Sequence, residues 1–204
     1  MRSATASWDR SWASVQIAWS IEREDALDRS RALDRFLAGV ERRAFRMAQI
    51  ATKDADDALD LVQDAMLKLV QHYAGRNEDE WGPLFYRILQ SKIRDWYRRT
   101  TVRNRVRAWL HPDEEDESDA LAQIPDTSER HADERLAQKR AMQALDTALR
   151  ALPLRQQQAF LLRVWEEYDV AQTARIMGCS EGSVKTHLSR AIHTLRVRLG
   201  EHWL

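Results

Sequence analysis

The sequence predicts an all-α protein made of two small helical domains joined by an acidic flexible linker. Three observations predict it. Apolar residues recur at spacings of three and four along most of the chain, the period of one helix face. Gly (6) and Pro (4) are scarce among 204 residues, so turns are few. One stretch, 111–134, holds two prolines and ten acids and interrupts the helical pattern. Apolar residues make up 44% of the chain, enough to fill real cores.

Residues 1–28 read as an N-terminal extension. Trp8, Trp12, Val15 and Trp19 fit one helical face, or the segment is a frayed, disordered tail. The tail reading is preferred.

Residues 29–110 form the first domain. Leu33, Leu37, Val40, Ala44, Met47 and Ala51 mark its first helix. Asp54 is the expected N-cap of a second helix, whose stripe runs Ala58, Leu61, Val62, Ala65 and Leu69. The polar stretch from His72 to Glu80 contains Gly75 and reads as a loop. Trp81-Gly82-Pro83 then opens a third helix, since Pro is tolerated in a first turn. Its apolar face is Phe85, Ile88, Leu89, Ile93 and Trp96.

Residues 111–134 are a linker by composition, extended by self-repulsion. Residues 135–204 form the second domain. Leu136, Met142, Leu145, Leu149 and Leu152 lead to Pro153, and a further helix carries Ala159, Phe160, Leu162 and Trp165.

The most specific segment starts at Val170. Asp169 with Gln172 makes a capping-box start, and a short helix runs to about Met177. Gly178 ends it where a left-handed residue is needed, and Ser180 caps the next helix. Val184, Leu188, Ile192, Leu195 and Leu199 follow at helical spacing. Two short helices crossing steeply need a small residue at their contact (Ala174), Gly at the turn (Gly178) and an apolar residue packing back (Val184). This is the pattern of a helix-turn-helix. The outward residues of its second helix, Ser183, Lys185, Thr186, Ser189 and Arg190, are short or cationic and able to bond bases or phosphates in a major groove. An ordinary pair of bundle helices would not need such a face.

The net charge is zero, which at first argues against nucleic acid. The distribution argues otherwise. Residues 1–110 are net +4, residues 111–134 net −9 and residues 135–204 net +5. On the third helix, Arg87, Ser91, Arg94 and Arg98 form one track, and Lys92, Arg99, Arg103, Arg105 and Arg107 extend the charge. Trp81, Tyr86, Trp96 and Tyr97 are interleaved. A cationic track with π-faces suits unstacked single-stranded DNA, although Trp96 by itself reads as core. On the second helix Asp60, Gln63, Asp64 and Lys68 share the polar side, a mixed surface suited to protein rather than DNA.

Other classes find little support. No run of eighteen apolar residues could span a bilayer, and no h-region suggests secretion, so the expected compartment is the cytoplasm. Cys179 is the single cysteine, and it reads as a small packing residue rather than a redox sensor. There is no P-loop, metal-ligand cluster or triad spacing, and His72, His111, His131, His187, His193 and His202 are scattered singly. No catalytic residue, metal or cofactor is expected. An enzyme acting on nucleic acid would need clustered carboxylates on folded helices, whereas here the acids concentrate in the linker.

The runs DALDLVQDAMLKLV (57–70), WGPLFYRILQSKIRDWYRR (81–99) and LPLRQQQAFLLR (152–163), followed by the helix-turn-helix, resemble a bacterial RNA polymerase sigma factor. The two-domain layout is similar to the extracytoplasmic-function (ECF) group, and the likeness covers about residues 30–199. It implies that Asp60, Gln63, Asp64 and Lys68 bind the clamp helices of the polymerase β′ subunit. It implies that the third helix, through Arg87, Ser91, Lys92, Arg94 and Arg98, and the 73–81 loop melt the −10 element and hold a flipped base. It implies that Ser183, Lys185, Thr186, Ser189 and Arg190 read the −35 element as duplex while the second domain touches the β-flap. The linker would thread the polymerase near the RNA exit path. Promoter DNA, core RNA polymerase and an anti-sigma factor are the implied partners, with no small-molecule substrate. Ser91 stands where many members of the group carry Asn, residues 1–28 have no counterpart, and the linker is unusually acidic.

Joined through polymerase, the two domains would act as a bivalent reader of promoter DNA. The acidic linker, flanked by basic domains, could also mimic DNA within the chain and weaken DNA binding by free protein. A stand-alone helix-turn-helix regulator is the alternative, and it leaves the Arg track and the 57–70 run unexplained.

Overall fold

The computed structural model describes the backbone of residues 6–110 and 132–200 and the side chains of residues 27–103 and 138–200. Every regular element among the described residues is helical. The acidic segment 111–131, and with it the linker and DNA-mimic readings, lies outside the described residues.

α1 spans Ala6–Thr52, so residues 6–28 have helical backbone continuous with the first helix, where the sequence favours a frayed tail. The side chains of Trp8, Trp12, Val15 and Trp19 lie outside the described residues. α1 ends at Lys53, whose φ of 64° turns the chain, and Thr52 donates its hydroxyl to the Ala48 carbonyl. α2 spans Ala55–Tyr73. Asp54 caps it as expected, accepting from the Asp57 amide at 2.8 Å.

α3 spans Glu78–Leu110 and begins three residues before the expected Trp81. The intervening loop therefore shrinks to 74–77. Glu78, Asp79 and Glu80 are not loop residues but an acidic first turn, placed where the helix dipole favours negative charge. Pro83 consequently lies inside the helix, close enough to its start that only the Asp79 carbonyl loses an amide partner. The Trp81 indole donates to the Tyr73 carbonyl at 3.2 Å and ties α3 to the end of α2. α1, α2 and α3 pack mutually around Val40, Met47, Ile50, Leu61, Leu69, Phe85, Leu89 and Ile93.

α4 spans Ala132–Arg150 and α5 spans Leu154–Phe160. Met142, expected in the apolar stripe of α4, is 62% exposed, and the buried face is carried by Ala148 and Leu149, with Leu152 buried in the turn that follows. After α5 comes one wide π turn, Leu161–Trp165, closed by the Glu166 amide on the Leu161 carbonyl. The extra residue in that turn shifts the inward face. Val164 and Trp165 therefore turn outward and Glu166 turns inward, the reverse of what α-periodicity predicts for Trp165. α6 spans Val170–Met177 and α7 spans Glu181–Leu199, both packed with α5.

The two helical units also touch each other. α3 lies against α6, and α1 lies against α4.

Candidate nucleic-acid interface

The turn between α6 and α7 has the predicted chemistry. Asp169 and Gln172 form a complete capping box. Gly178 adopts φ 63° and ψ 49°, a left-handed conformation that a Cβ disfavours. The Cys179 amide donates to the Ala174 carbonyl at 3.1 Å, and Ser180 accepts from the Ser183 amide at 3.1 Å. Ala174 and Val184 are buried at the crossing. Cys179 is half-buried and packs against the core, as a small filling residue does.

With its apolar side inward, α7 presents Lys185, Thr186, Ser189 and Arg190 to solvent, while Ser183 is half-buried and shares a 2.9 Å contact with the Ser180 hydroxyl. The Thr186 hydroxyl donates to the Gly182 carbonyl at 3.0 Å, which fixes its rotamer. His187 lies among the same groups. Burial, then the Arg155 and Arg190 charges, hold its imidazole below the ordinary histidine range, so Lys185 and Arg190 supply the positive charge of this face near neutral pH.

The cationic track on α3 is less uniform than its spacing suggests. Arg87 is exposed and Ser91 half-buried. Lys92 pairs with Asp64 of α2 at 2.6 Å, and Arg98 pairs with Asp95 at 3.1 Å. Arg94 is half-buried. Its guanidinium donates to the Met177 carbonyl at the end of α6 at 2.7 Å, beside Arg155, which donates to the same atom at 2.9 Å. Two cations on the last carbonyl suit the negative end of a helix. Burial first, then Arg155, lower the Arg94 pKa from its ordinary value.

The aromatic part of the expected single-strand platform needs correction. Trp81 and Tyr86 are each only 1% exposed, so neither offers a π-face to a base. They serve the core instead, with Phe36 5.9 Å from Trp81 and Phe85 5.3 Å from Tyr86 between ring centroids. Tyr97 is exposed, and Trp96 is half-buried.

On α2, Asp60, Gln63, Asp64 and Lys68 are all exposed. Leu59, Leu67 and Val70 are exposed beside them, a partly apolar surface that the polar stripe alone does not reveal. The signal was available: Leu59 and Leu67 fall outside the buried stripe Ala58, Leu61, Val62, Ala65 and Leu69. A polar cleft between α2 and α3, about 370 Å³, is lined by Asp57, Asp60, Asp64, Trp96, Arg99 and Arg103 among others.

Residues 32–103 match the Sigma-70 region 2 family, and residues 142–195 match Sigma-70, region 4. The chain is 31% identical over 150 residues to an RNA polymerase sigma-E factor of Streptomyces antibioticus, covering 72% of each chain. It is 30% identical over 171 residues to the ECF RNA polymerase sigma factor SigM of Mycobacterium tuberculosis, covering 83% of this chain and 78% of that one. A solved structure of the sigma factor RpoE from Bartonella quintana, in complex with the anti-sigma factor NepR, superposes with a TM-score of 0.56 at 25% identity, covering 81% of this chain and 95% of that one. With both regions matched in order, and relatives covered over more than two thirds of their length, the chain belongs to the ECF sigma factors of the sigma-70 family.

Proposed function

We propose that this protein is a sigma factor that binds core RNA polymerase and directs promoter-specific initiation, reading a −35 duplex and melting a −10 element. The observation that carries the reading is the presence, in one chain and in order, of the region 2 match over 32–103 and the region 4 match over 142–195. Function in this family lies in binding rather than in a catalysed reaction. The described residues include no helix long and apolar enough to cross a membrane, and we assign the protein to the cytoplasm, where polymerase acts.

The division of labour follows the surfaces. α7 is the duplex reader, with Lys185 and Arg190 available for phosphates or guanine edges and Ser183, Thr186 and Ser189 for shorter contacts. Arg87, Ser91, Lys92, Arg94 and Arg98 of α3 are the −10 contacts, with exposed Tyr97 as the stacking surface beside them. A base extracted from the stack costs a few kcal/mol, least at flexible A·T-rich steps. Asp60, Gln63, Asp64 and Lys68, framed by Leu59, Leu67 and Val70, form the polymerase face toward the β′ clamp helices, and the second domain meets the β-flap. In domain terms, residues 29–110 serve polymerase and the −10 element, and residues 135–204 serve the −35 element. The complex formed by the Bartonella relative supports an anti-sigma factor as a further partner.

The test is a pull-down with bacterial core polymerase, comparing the wild type with Gln63→Ala plus Asp64→Ala. Retention of the wild type and loss of the double variant are expected. Failure of the wild type to bind would favour a stand-alone duplex-binding regulator.

A further inference from the structure

The duplex-reading face gathers more positive charge than its own helix supplies. His187 of α7 is half-buried and lies one turn before the exposed Arg190. α5 packs against α7 and brings Arg155 close enough for its charge, with that of Arg190, to act on the imidazole. Arg155 is held in place rather than free to swing. Its guanidinium donates to the Met177 carbonyl at 2.9 Å and to the Gln158 amide oxygen at 3.5 Å, and Arg94 of α3 donates to the same carbonyl at 2.7 Å.

No carboxylate among the described residues balances this group. Arg155, His187 and Arg190 make no ion pair there. α5 and α6 carry no acid, and the turn between α6 and α7 brings the Cys179 thiol but no carboxylate. On α4, Asp146 is taken by Arg46 and Arg150. Glu181, the acid of α7, stands six positions before His187, about 120° round the helix at about 100° per residue. Lys185 adds a further exposed cation. Like charges held together without a counterion fit an anion. Thr186 and Ser189 beside them are short and polar, as suits a duplex, where phosphates border the base edges.

We propose that Arg155, His187 and Arg190 form a clamp for one backbone phosphate of duplex DNA, and that His187 takes up a proton when the phosphate arrives. The inference rests on α7 being the duplex reader.

In the free protein, burial first and then the two arginines hold the imidazole below the ordinary histidine range, so it is neutral near neutral pH. A neutral imidazole has one N–H to donate, and a protonated one has two. A phosphate brought against the cluster reverses the electrostatics. It offsets the Arg155 and Arg190 charges and accepts a charge-assisted hydrogen bond from the imidazolium. The pKa in the complex therefore lies above that in the free protein. Between these two values binding takes up a proton, so affinity rises as pH falls through the upper value and levels off below the lower one. Lys185 and Arg190 cannot supply this increment, because both keep their charge throughout that range.

The test uses the full-length chain and a mixed-sequence duplex of about 20 base pairs, since a phosphate contact carries no sequence information. Fluorescence anisotropy reads affinity from pH 8 to pH 6 for the wild type, His187→Gln, His187→Arg and Arg155→Gln. Wild-type binding should tighten about three- to tenfold over this interval, one linked proton allowing at most about tenfold per pH unit, and its salt slope should steepen by about one. His187→Gln should keep the affinity of the wild type at pH 8 and lose the pH dependence. His187→Arg should bind at pH 8 as the wild type does at pH 6, a rescue that a merely structural histidine would not show. Arg155→Gln, still able to donate to Met177, should lower the salt slope by about one. Wild-type affinity that ignores pH, a pH dependence that survives in His187→Gln, weak binding by both His187 variants at every pH, or an unchanged slope in Arg155→Gln would each overturn the clamp while leaving α7 as the duplex reader. Failure of the wild type to bind the duplex at any pH would instead refute that reading, and the clamp with it.

Discussion

Gly178 is the residue whose role was plainest in the sequence, because a left-handed turn after a short helix has almost one chemical solution. Its φ of 63° gives the expected size of a substitution effect. Gly178→Ala should cost about 1 kcal/mol and lower the thermal midpoint by a few degrees, read by circular dichroism. The caps Asp54, Asp169 and Ser180 were legible for the same local reason. Trp81 and Tyr86 were not, because helical spacing places them near a cationic track while burial depends on α1 and on Tyr168, which are remote in sequence. The neighbouring tyrosines Tyr86 and Tyr168, with ring centroids 5.7 Å apart, give a pH prediction. Burial first, then the Glu166 charge, push Tyr168 up to about 12, and burial with Glu166 raises Tyr86 further. A raised phenol keeps its proton after the unfolded chain has lost it. Stability should therefore be intact below pH 10 and fall as pH climbs from 10 through about 12. Tyrosinate absorbance should show two phenols titrating late.

Helices were readable where their faces divide cleanly. α2 shows a buried stripe that matches the apolar spacing, and α7 keeps Val184, Leu195 and Leu199 of its stripe while Ala191 is buried and Leu188 and Ile192 are half-buried; what lies opposite follows by subtraction. The π turn at Leu161–Trp165 was unreadable, since no local residue announces an extra member in a turn, and it is this turn that exposes Trp165 and buries Glu166. α3 starts three residues before the pattern predicts, because its acids look like loop composition although acids at a helix N-terminus are equally natural. On α7, replacing Lys185 or Arg190 by Ala should discriminate two roles. A phosphate contact would weaken duplex binding across all sequences and reduce the salt slope by about one, whereas a base contact would cost about 1–3 kcal/mol on the preferred sequence only. Binding titrations at several salt concentrations, against matched and scrambled duplexes, separate the two. On α2, Asp54→Ala should cost about 1 kcal/mol in stability while leaving the exposed face of Gln63 and Asp64 intact, checked by denaturant unfolding.

At the level of the whole molecule, sequence patterning foretold two helical units and their order, and it was silent about how they meet. Arg46 with Asp146, and Arg94 with Met177, are pairs separated by 100 and 83 positions, and nothing local marks either member as a partner of the other. The charge split by segment pointed to DNA, yet several of those charges are engaged within the protein, among them Lys92 with Asp64. Gly82 carries a practical consequence for anyone who would make this protein sturdier. Replacing it with alanine should strengthen α3 by removing a helix-weakening residue, and a screen for heat resistance would favour that change. The same methyl group would stand 2.7 Å from the Tyr168 hydroxyl, so that side chain must shift to admit it. What the helix gains, the packing of Tyr168 against Tyr86 would lose, so robustness at this position is decided by a neighbour 86 positions away rather than by helix propensity.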